Sequence, residues 1–323
     1  MLEPLLLEPA FKDYLWGGEK LKTDFNKKTD MMPLAESWEL CCHKDGDNII
    51  QNGAYAGRTL RDYVAENPKT VCPQMTDTFP IMIKLIDAKD NLSVQVHPDN
   101  EYGLRVEGEY GKTEMWYVVD CEPDANLIFG FNRAVTRAEY EKAIKENTLL
   151  EIANVVPVKK GDVFFIEAKT LHAIGKGILI AEIQQNSNTT YRVYDYARPD
   201  ANGNLRELHV EKALEVTNLL PSREGINPKG EIKRFGESTQ KDLVTCEYFD
   251  VKKIELSGKM PLALTRESFC HLLILAGEAT LTMDEKKYAL KKGDSMFVPA
   301  QSGSAVLCGN AEIILSMLPT QQS

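Results

Sequence analysis

Four short segments between Ser93 and Arg198 carry side chains that could hold a cation and move a proton. Ser93-Val-Gln-Val-His97-Pro98 offers Gln95 and His97. Gly111-Lys-Thr-Glu114 offers Lys112 and Glu114, and Leu171-His172-Ala173 offers a second imidazole. The fourth segment, from Glu182 through Arg192 to Asp195, is crowded with charged and amide groups but is a poor ligand set. A His, a Glu and a His from separate strands suit Zn²⁺ and leave one position open for substrate. The same three also suit non-haem Fe²⁺. Each has an ordinary explanation alone: a hydrogen-bonded histidine, a solvated strand end. Their combination favours a metal site. His43, His209 and His271 have no such setting and are assigned no role.

The elements that must position these groups read as short strands. Ile81–Asp87, Leu92–His97, Met115–Val119, Val163–Ile166, Ile178–Ile183, Cys270–Ala276 and Ser295–Val298 are apolar or alternating and bounded by turn residues. Gly and Asp punctuate them at short intervals, which points to a β-sandwich or barrel rather than βαβ units. Gln95 and His97 stand two apart and therefore share a strand face. Two polar side chains entering an apolar barrel are costly unless something satisfies them, and a metal would. Glu114, just before an apolar run, is equally awkward without a cation. Three helices are expected: one over Thr59–Asn67, one after the capping-box pair Thr136 and Glu139, and one over Glu207–Val216.

The chain also repeats itself. Val158-Lys-Lys-Gly161-Asp162-Val-Phe-Phe-Ile-Glu-Ala resembles Leu290-Lys-Lys-Gly293-Asp294-Ser-Met-Phe-Val-Pro-Ala, 132 positions later. Two tandem β-domains are the simplest account. The division expected is a metal-binding domain over 1–220, a Gly-, Pro- and charge-rich linker over 221–241, and a second domain over 242–323. Ser304 stands where the first copy has His172, and Cys270 where it has Glu114. The second copy therefore lacks the ligand set.

Bulk properties narrow the function. The net charge of −10 argues against a nucleic-acid binder, which needs a cationic footprint. No apolar run approaches a membrane span, and the first residues lack the basic leader of a signal peptide. Seven scattered cysteines with no C-x-x-C pair fit a reducing cytoplasm.

The spacing Gly161-x5-Glu167-x-Lys169-x2-His172 resembles the second cupin motif, with Glu and Lys in place of its Pro and Gly. Gln95-Val-His97 and Glu114-x6-Cys121 match the first motif more loosely. Further matches are Trp16-Gly17-Gly18, Ala35-Glu36-Ser37-Trp38-Glu39, Lys84-Leu-Ile-Asp-Ala88 and Gly111-Lys112-Thr113-Glu114. With the long segment from Glu182 to Asp195 and Arg198, they make roughly the first two-thirds of the chain resemble the type I phosphomannose isomerases in their shorter bacterial form. The resemblance implies a mainly β chain of two tandem jelly-roll cupin barrels with a few short helices. It implies reversible conversion of mannose 6-phosphate, a small phosphosugar, to fructose 6-phosphate with one zinc per chain. It assigns the ligands to His97, Glu114 and His172, with Gln95 as a fourth or supporting group.

The chemistry expected is proton transfer through an enediol, with negative charge developing on oxygen. The family's catalytic arginine maps onto Arg192, whose fork can bind two oxygens; the alternative is a structural pair with Asp195 or Glu182. Glu182, with its pKa raised by burial, is a candidate base, and Lys112 and a metal-bound water compete with it. Lys84 and Lys112, assisted by Ser93, are candidate phosphate contacts. Trp16 and Glu39 are expected to shape the mouth of the site. Lys27-Lys28, Lys252-Lys253 and Lys286-Lys287 read as solvated surface. A metal-dependent oxygenase and a sugar-sensing double cupin are the competing readings. The oxygenase needs no such cationic groups, and the sensor leaves the single intact ligand set unexplained.

Overall fold

The computed structural model describes residues 2–199, 203–222 and 225–320, and the chain is mainly β. Among the described residues, three large antiparallel sheets build two cupin units. A six-stranded sheet runs Val163–Ile166, Glu114–Cys121, Ile178–Gln185, Ile81–Ala88, Glu36–Leu40 and Ala10–Lys12. A five-stranded sheet runs Ala153–Pro157, Asn126–Phe131, His172–Ala173, Val94–Val96 and Tyr191–Tyr194. These two enclose the first unit, and a nine-stranded sheet forms the second.

Strand alternation sorts the side chains of the six-stranded sheet. Ile81, Ile83 and Leu85, with Leu179, Ala181 and Ile183, point one way into a core shared with Phe249, Phe269 and Phe297 of the second unit. Ile86, Ala88, Ile178 and Ile180 point the other way, into the first barrel. Both central strands are thus buried on both faces, which is why they read as nearly unbroken apolar runs. Lys84 and Glu182 interrupt those runs on the barrel side, directly opposite each other. On the outer face of the five-stranded sheet, Val94 and Val96 pack with Tyr140, Ile144, Ala213 and Leu214 of the flanking helices. Gln95 is left to face inward.

The expected helices form at Leu60–Glu66, Arg137–Lys145 and Val210–Val216. The Thr136–Glu139 capping box is present. The third helix starts later than its sequence pattern suggests, because the His209 amide donates to the Arg192 carbonyl at 2.8 Å and ties that stretch to a strand. A further helix, Asn100–Val106, fills the long loop between His97 and Glu114. Among the described residues no helix is long and apolar enough to cross a membrane.

The repeat is a repeat of hydrogen bonds as well as letters. Asp162 accepts from the Lys159 amide at 2.9 Å, and Asp294 accepts from the Lys291 amide at 2.9 Å. Gly161 and Gly293 precede them at φ 88° and 91°, left-handed values that glycine adopts without strain. Glu114 pairs with Ile166, and Cys270 pairs with Val298 at the equivalent register. Cys270 therefore occupies the ligand position of the second unit, and Ser304 is exposed.

The expected domain division is crossed at both ends. Leu5–Glu8 pairs with Ser295–Val298, so an N-terminal strand belongs to the C-terminal sheet. The expected linker carries the strand Ile232–Phe235 and the start of Ser238–Thr245, joined by a tight turn at Gly236. Glycine read as a breaker is here the turn of a hairpin.

The shared core makes the second unit a structural partner of the first. Phe297 is fully buried, with its ring 5.0 Å from Phe269 and 6.2 Å from Phe79. Phe297→Ala should destabilise the chain by about 3–5 kcal/mol, the usual cost of emptying a buried aromatic site. Urea unfolding would show this, and unchanged stability would mean that the two units do not depend on this core.

Candidate active site

Three ligand atoms converge inside the first barrel. His172 and Gln95 are direct cross-strand partners, and Arg192 pairs with Gln95 from the opposite side. His97 lies just past the same strand, and Glu114 enters from the facing sheet. The Nε2 atoms of His97 and His172 are 3.1 Å apart. Glu114 Oε2 lies 3.5 Å from His97 Nε2, and Oε1 lies 3.3 Å from His172 Nε2. All three residues are buried, and their ligand atoms lie within 4.8 Å of one another.

The surroundings orient these atoms. His97 Nδ1 donates to the Thr189 carbonyl at 2.9 Å and His172 Nδ1 to the Thr170 carbonyl at 2.8 Å. That fixes the tautomer and leaves both Nε2 lone pairs pointing inward. Burial, reinforced by Lys112, pushes the His97 pKa well down, and burial lowers that of His172 to about 4, so both rings are neutral as a ligand must be. Both Glu114 oxygens are buried without a hydrogen-bond partner, although Lys112 Nζ makes an ion contact at 2.8 Å. Burial, then Glu182, pushes the Glu114 carboxyl up to about 7. Two buried carboxylate oxygens without a hydrogen bond, facing two converging imidazole lone pairs, fit a divalent cation. Gln95 Nε2 stands 3.5 Å and 3.3 Å from the two Nε2 atoms, so its amide borders the same space.

A cleft of about 280 Å³ reaches these ligands through Gln95, 3.3 Å from His172 Nε2, and Lys112, 2.8 Å from Glu114. Its lining includes Lys84, Lys112, Glu182, Ser93, Gln95, Trp16 and Arg192, all named by the sequence, together with Tyr14, Glu36 and Arg206, which were not assigned to the site. A larger groove of about 650 Å³ runs beside Lys27, Lys28 and Gly293, but neither Gln95 nor Lys112, the side chains that touch the ligand atoms, lines it. The chemistry therefore belongs to the smaller opening.

Several expectations change on inspection. Glu39 is not at the mouth: it is fully buried, 2.6 Å from Lys27 Nζ and 2.7 Å from Ser37 Oγ. Glu36, three residues away on that strand, faces the cleft instead, accepts from Trp38 Nε1 at 2.7 Å and lies 3.6 Å from Lys84. Period-two alternation puts Glu36 and Glu39 on opposite faces, and that was the available signal. Lys27 is correspondingly no surface lysine; its ammonium also donates to the Gly293 carbonyl at 2.7 Å. Lys252 ties Asp242 and Asp250 together at 2.9 Å each, so it is a structural cation as well.

Glu182 has the opposite shift to the one expected. Burial alone would raise its pKa, but Lys112 at 3.7 Å and Lys84 at 3.4 Å, with a bond from Trp116 Nε1, bring it down to about 2. The structural pairing considered for Arg192 is absent among the described residues. Asp195 is held by Arg206 at 2.7 Å and 2.6 Å and by Arg198 at 2.9 Å. Arg192 donates from Nη1 to the Glu207 carbonyl at 2.9 Å, and its buried Nε has no partner. Nothing in the sequence flagged Arg206, which reaches the cleft only because the segment after Asp195 folds back over it.

Comparison with known proteins agrees with this geometry. Residues 5–122 match the family described as phosphomannose isomerase type I, catalytic domain, and residues 239–318 match mannose-6-phosphate isomerase, cupin domain. The chain is 41% identical over 320 residues to mannose-6-phosphate isomerase ManA of Bacillus subtilis, covering 98% of this chain and 99% of that one. The chain belongs to the type I phosphomannose isomerase family. A mannose-6-phosphate isomerase of Streptococcus mutans is 37% identical over 98% of both chains. The crystal structure of the mannose 6-phosphate isomerase from Bacillus subtilis superposes with a TM-score of 0.92 at 35% identity, covering 97% of this chain and 99% of that one. A phosphomannose isomerase of Salmonella typhimurium, at 15% identity and a TM-score of 0.79, shares the fold. Membership of this phosphomannose isomerase family makes the chain an enzyme and sets aside the oxygenase and sensor readings.

Proposed function

We propose that this phosphomannose isomerase interconverts mannose 6-phosphate and fructose 6-phosphate through an enediol, with one zinc ion per chain held by His97, Glu114 and His172. The observation that carries the reading is the convergence of those three ligand atoms beneath a cleft walled by cations. A bound zinc ion would supply Lewis-acid stabilisation of negative charge on the sugar oxygens. Gln95 flanks the ligands and would hydrogen-bond a sugar oxygen bound beside them. Glu182 is the proton acceptor, and Lys112 between Glu182 and Glu114 is the neighbouring donor. In the resting site Glu182 is a weak base because two lysines hold it. Engagement of those lysines by substrate loosens that hold and raises its basicity.

Lys84, Lys112, Arg192 and Arg206 together supply four positive charges to a cleft in a chain of net charge −10. A phosphate dianion needs such a local offset. Lys84 is already shared by Glu36 and Glu182, so the lysines act with the arginines, and with Ser93 as a neutral donor, rather than alone. Trp16 and Tyr14, with ring centroids 5.6 Å apart, wall one side. All seven cysteines are free thiols, which fits a cytoplasmic location.

A coupled assay of fructose 6-phosphate formation tests the reading. Chelation should abolish the activity and stoichiometric zinc should restore it. Undiminished turnover after complete metal removal would overturn the proposal.

A further inference from the structure

We propose that Glu109, through the loop 187–190, is a positioning residue for the zinc ligand His97. The inference rests on the zinc reading above.

Glu109 sits in the short loop between the helix Asn100–Val106 and Lys112, and it is the meeting point of three chain segments. Its Oε2 accepts from the Thr189 hydroxyl at 2.8 Å, the Asn188 amide at 3.1 Å and the Ser187 hydroxyl at 3.2 Å. Its Oε1 lies 3.0 Å from His43 Nε2 and 3.2 Å from Lys44 Nζ. Five donors therefore converge on one carboxylate, three of them from consecutive residues of a single loop. The Thr189 carbonyl is the acceptor that fixes His97 Nδ1 at 2.9 Å. The path from Glu109 to the metal position is one residue and one ring long.

The rest of that loop has few other anchors. Gln184 Nε2 donates to the Ser187 carbonyl at 2.6 Å, and Asn188 Nδ2 donates to Asp45 at 2.9 Å. Asn188 and Thr190 line the cleft, and Arg192 follows two residues later. On its own side, Glu109 precedes Lys112 by three residues. That loop is pinned again where the Gly111 amide meets Asn100 at 3.0 Å and the Lys112 amide meets the Pro98 carbonyl at 3.0 Å. One carboxylate thus staples the loop bearing Lys112 to the loop that orients His97.

A carboxylate suits this place because it accepts at every lone pair. The hydrogen bonds from Thr189, His43, Asn188 and Lys44 outweigh burial and hold its pKa down, to about 2. An amide of the same size must turn an NH₂ group toward donors on one side or the other. Glu109→Gln therefore leaves the volume intact but expels either the 187–189 loop or the His43–Lys44 hairpin. The tautomer of His97 is then no longer fixed by a rigid carbonyl.

Zinc affinity reads this directly. The wild-type and Glu109→Gln proteins are titrated with zinc against a chromophoric chelator, and urea unfolding is followed in parallel. Removing a group that orients a ligand typically costs about 10–100-fold in metal affinity. Glu109→Gln should lose about that much, and Glu109→Asp, which keeps the charge, should recover part of it. Equal zinc affinity in Glu109→Gln and wild type overturns the inference, whatever happens to stability. If Glu109→Gln does not fold, Thr189→Val, which removes one of the five donors, should weaken zinc binding by a smaller factor, and unchanged affinity there overturns the inference too. A wild-type chain that binds no zinc contradicts the zinc reading itself rather than the role of Glu109.

Discussion

Arg192→Ala should lower turnover by about a hundred- to a thousand-fold while zinc content stays near one per chain. Loss of one preorganised electrostatic contact to a developing oxyanion commonly costs ~2.7–4 kcal/mol of transition-state stabilisation, which corresponds to that range. Arg192 is the cation of the cleft with no carboxylate partner among the described residues, and its buried Nε has no acceptor. Burial and the nearby Arg206 lower its pKa, so the site holds the charge at some cost. A substrate oxygen would relieve that cost. Lysine should not replace it well, since an ammonium cannot make the forked contact. The control is stability: Arg192 makes a side-chain bond to the Glu207 carbonyl, so unfolding should shift little. Turnover within a few-fold of wild type would remove Arg192 from the catalytic group.

His172→Ala should abolish stoichiometric zinc and, with it, activity. The ring supplies one of three ligand atoms, so its removal should exceed the ~10–100-fold typical of losing a supporting partner. What remains is the His97 ring facing Glu114, a buried carboxylate without a hydrogen bond. Metal analysis after dialysis is the measurement. A full equivalent of zinc in the variant would show that the ion lies elsewhere. Among the described residues the second unit brings no three His, Cys, Asp or Glu side chains together as a substitute.

The parts of this molecule legible from sequence are those set by neighbouring residues. The capping box at Thr136 is decided within four residues. The Lys-Lys-Gly-Asp turn is decided within four more, and its repeat could be read twice. The convergence of His97, Glu114 and His172 was legible because their residue types are out of place beside apolar strands. What failed was anything decided across the fold. Whether Lys27 is solvated depends on Glu39, on another element, and on Gly293, 266 residues away. The direction of the Glu182 shift depends on two lysines, Lys84 from a neighbouring strand and Lys112 from a loop. Composition offered no means of counting them. The role of Glu109 was invisible for the same reason: its five donors come from two distant segments, and in sequence it is an acidic loop residue like many others.

The strand Leu5–Glu8 has a consequence for how the chain is made. Leu5 lies opposite Phe297, so a segment pairs with one that is synthesised nearly three hundred residues later. At ordinary synthesis rates their emergence is separated by roughly 15–60 s. Throughout that interval Leu5 and Leu7, both core residues of the finished protein, have no sheet edge on their Phe297 side. The metal-binding half therefore cannot bury its own apolar back in advance. The nascent chain must wait, shielded or at risk of wrong pairing, until the strand Ser295–Val298 arrives. Expression of residues 1–220 alone would reproduce that waiting state permanently.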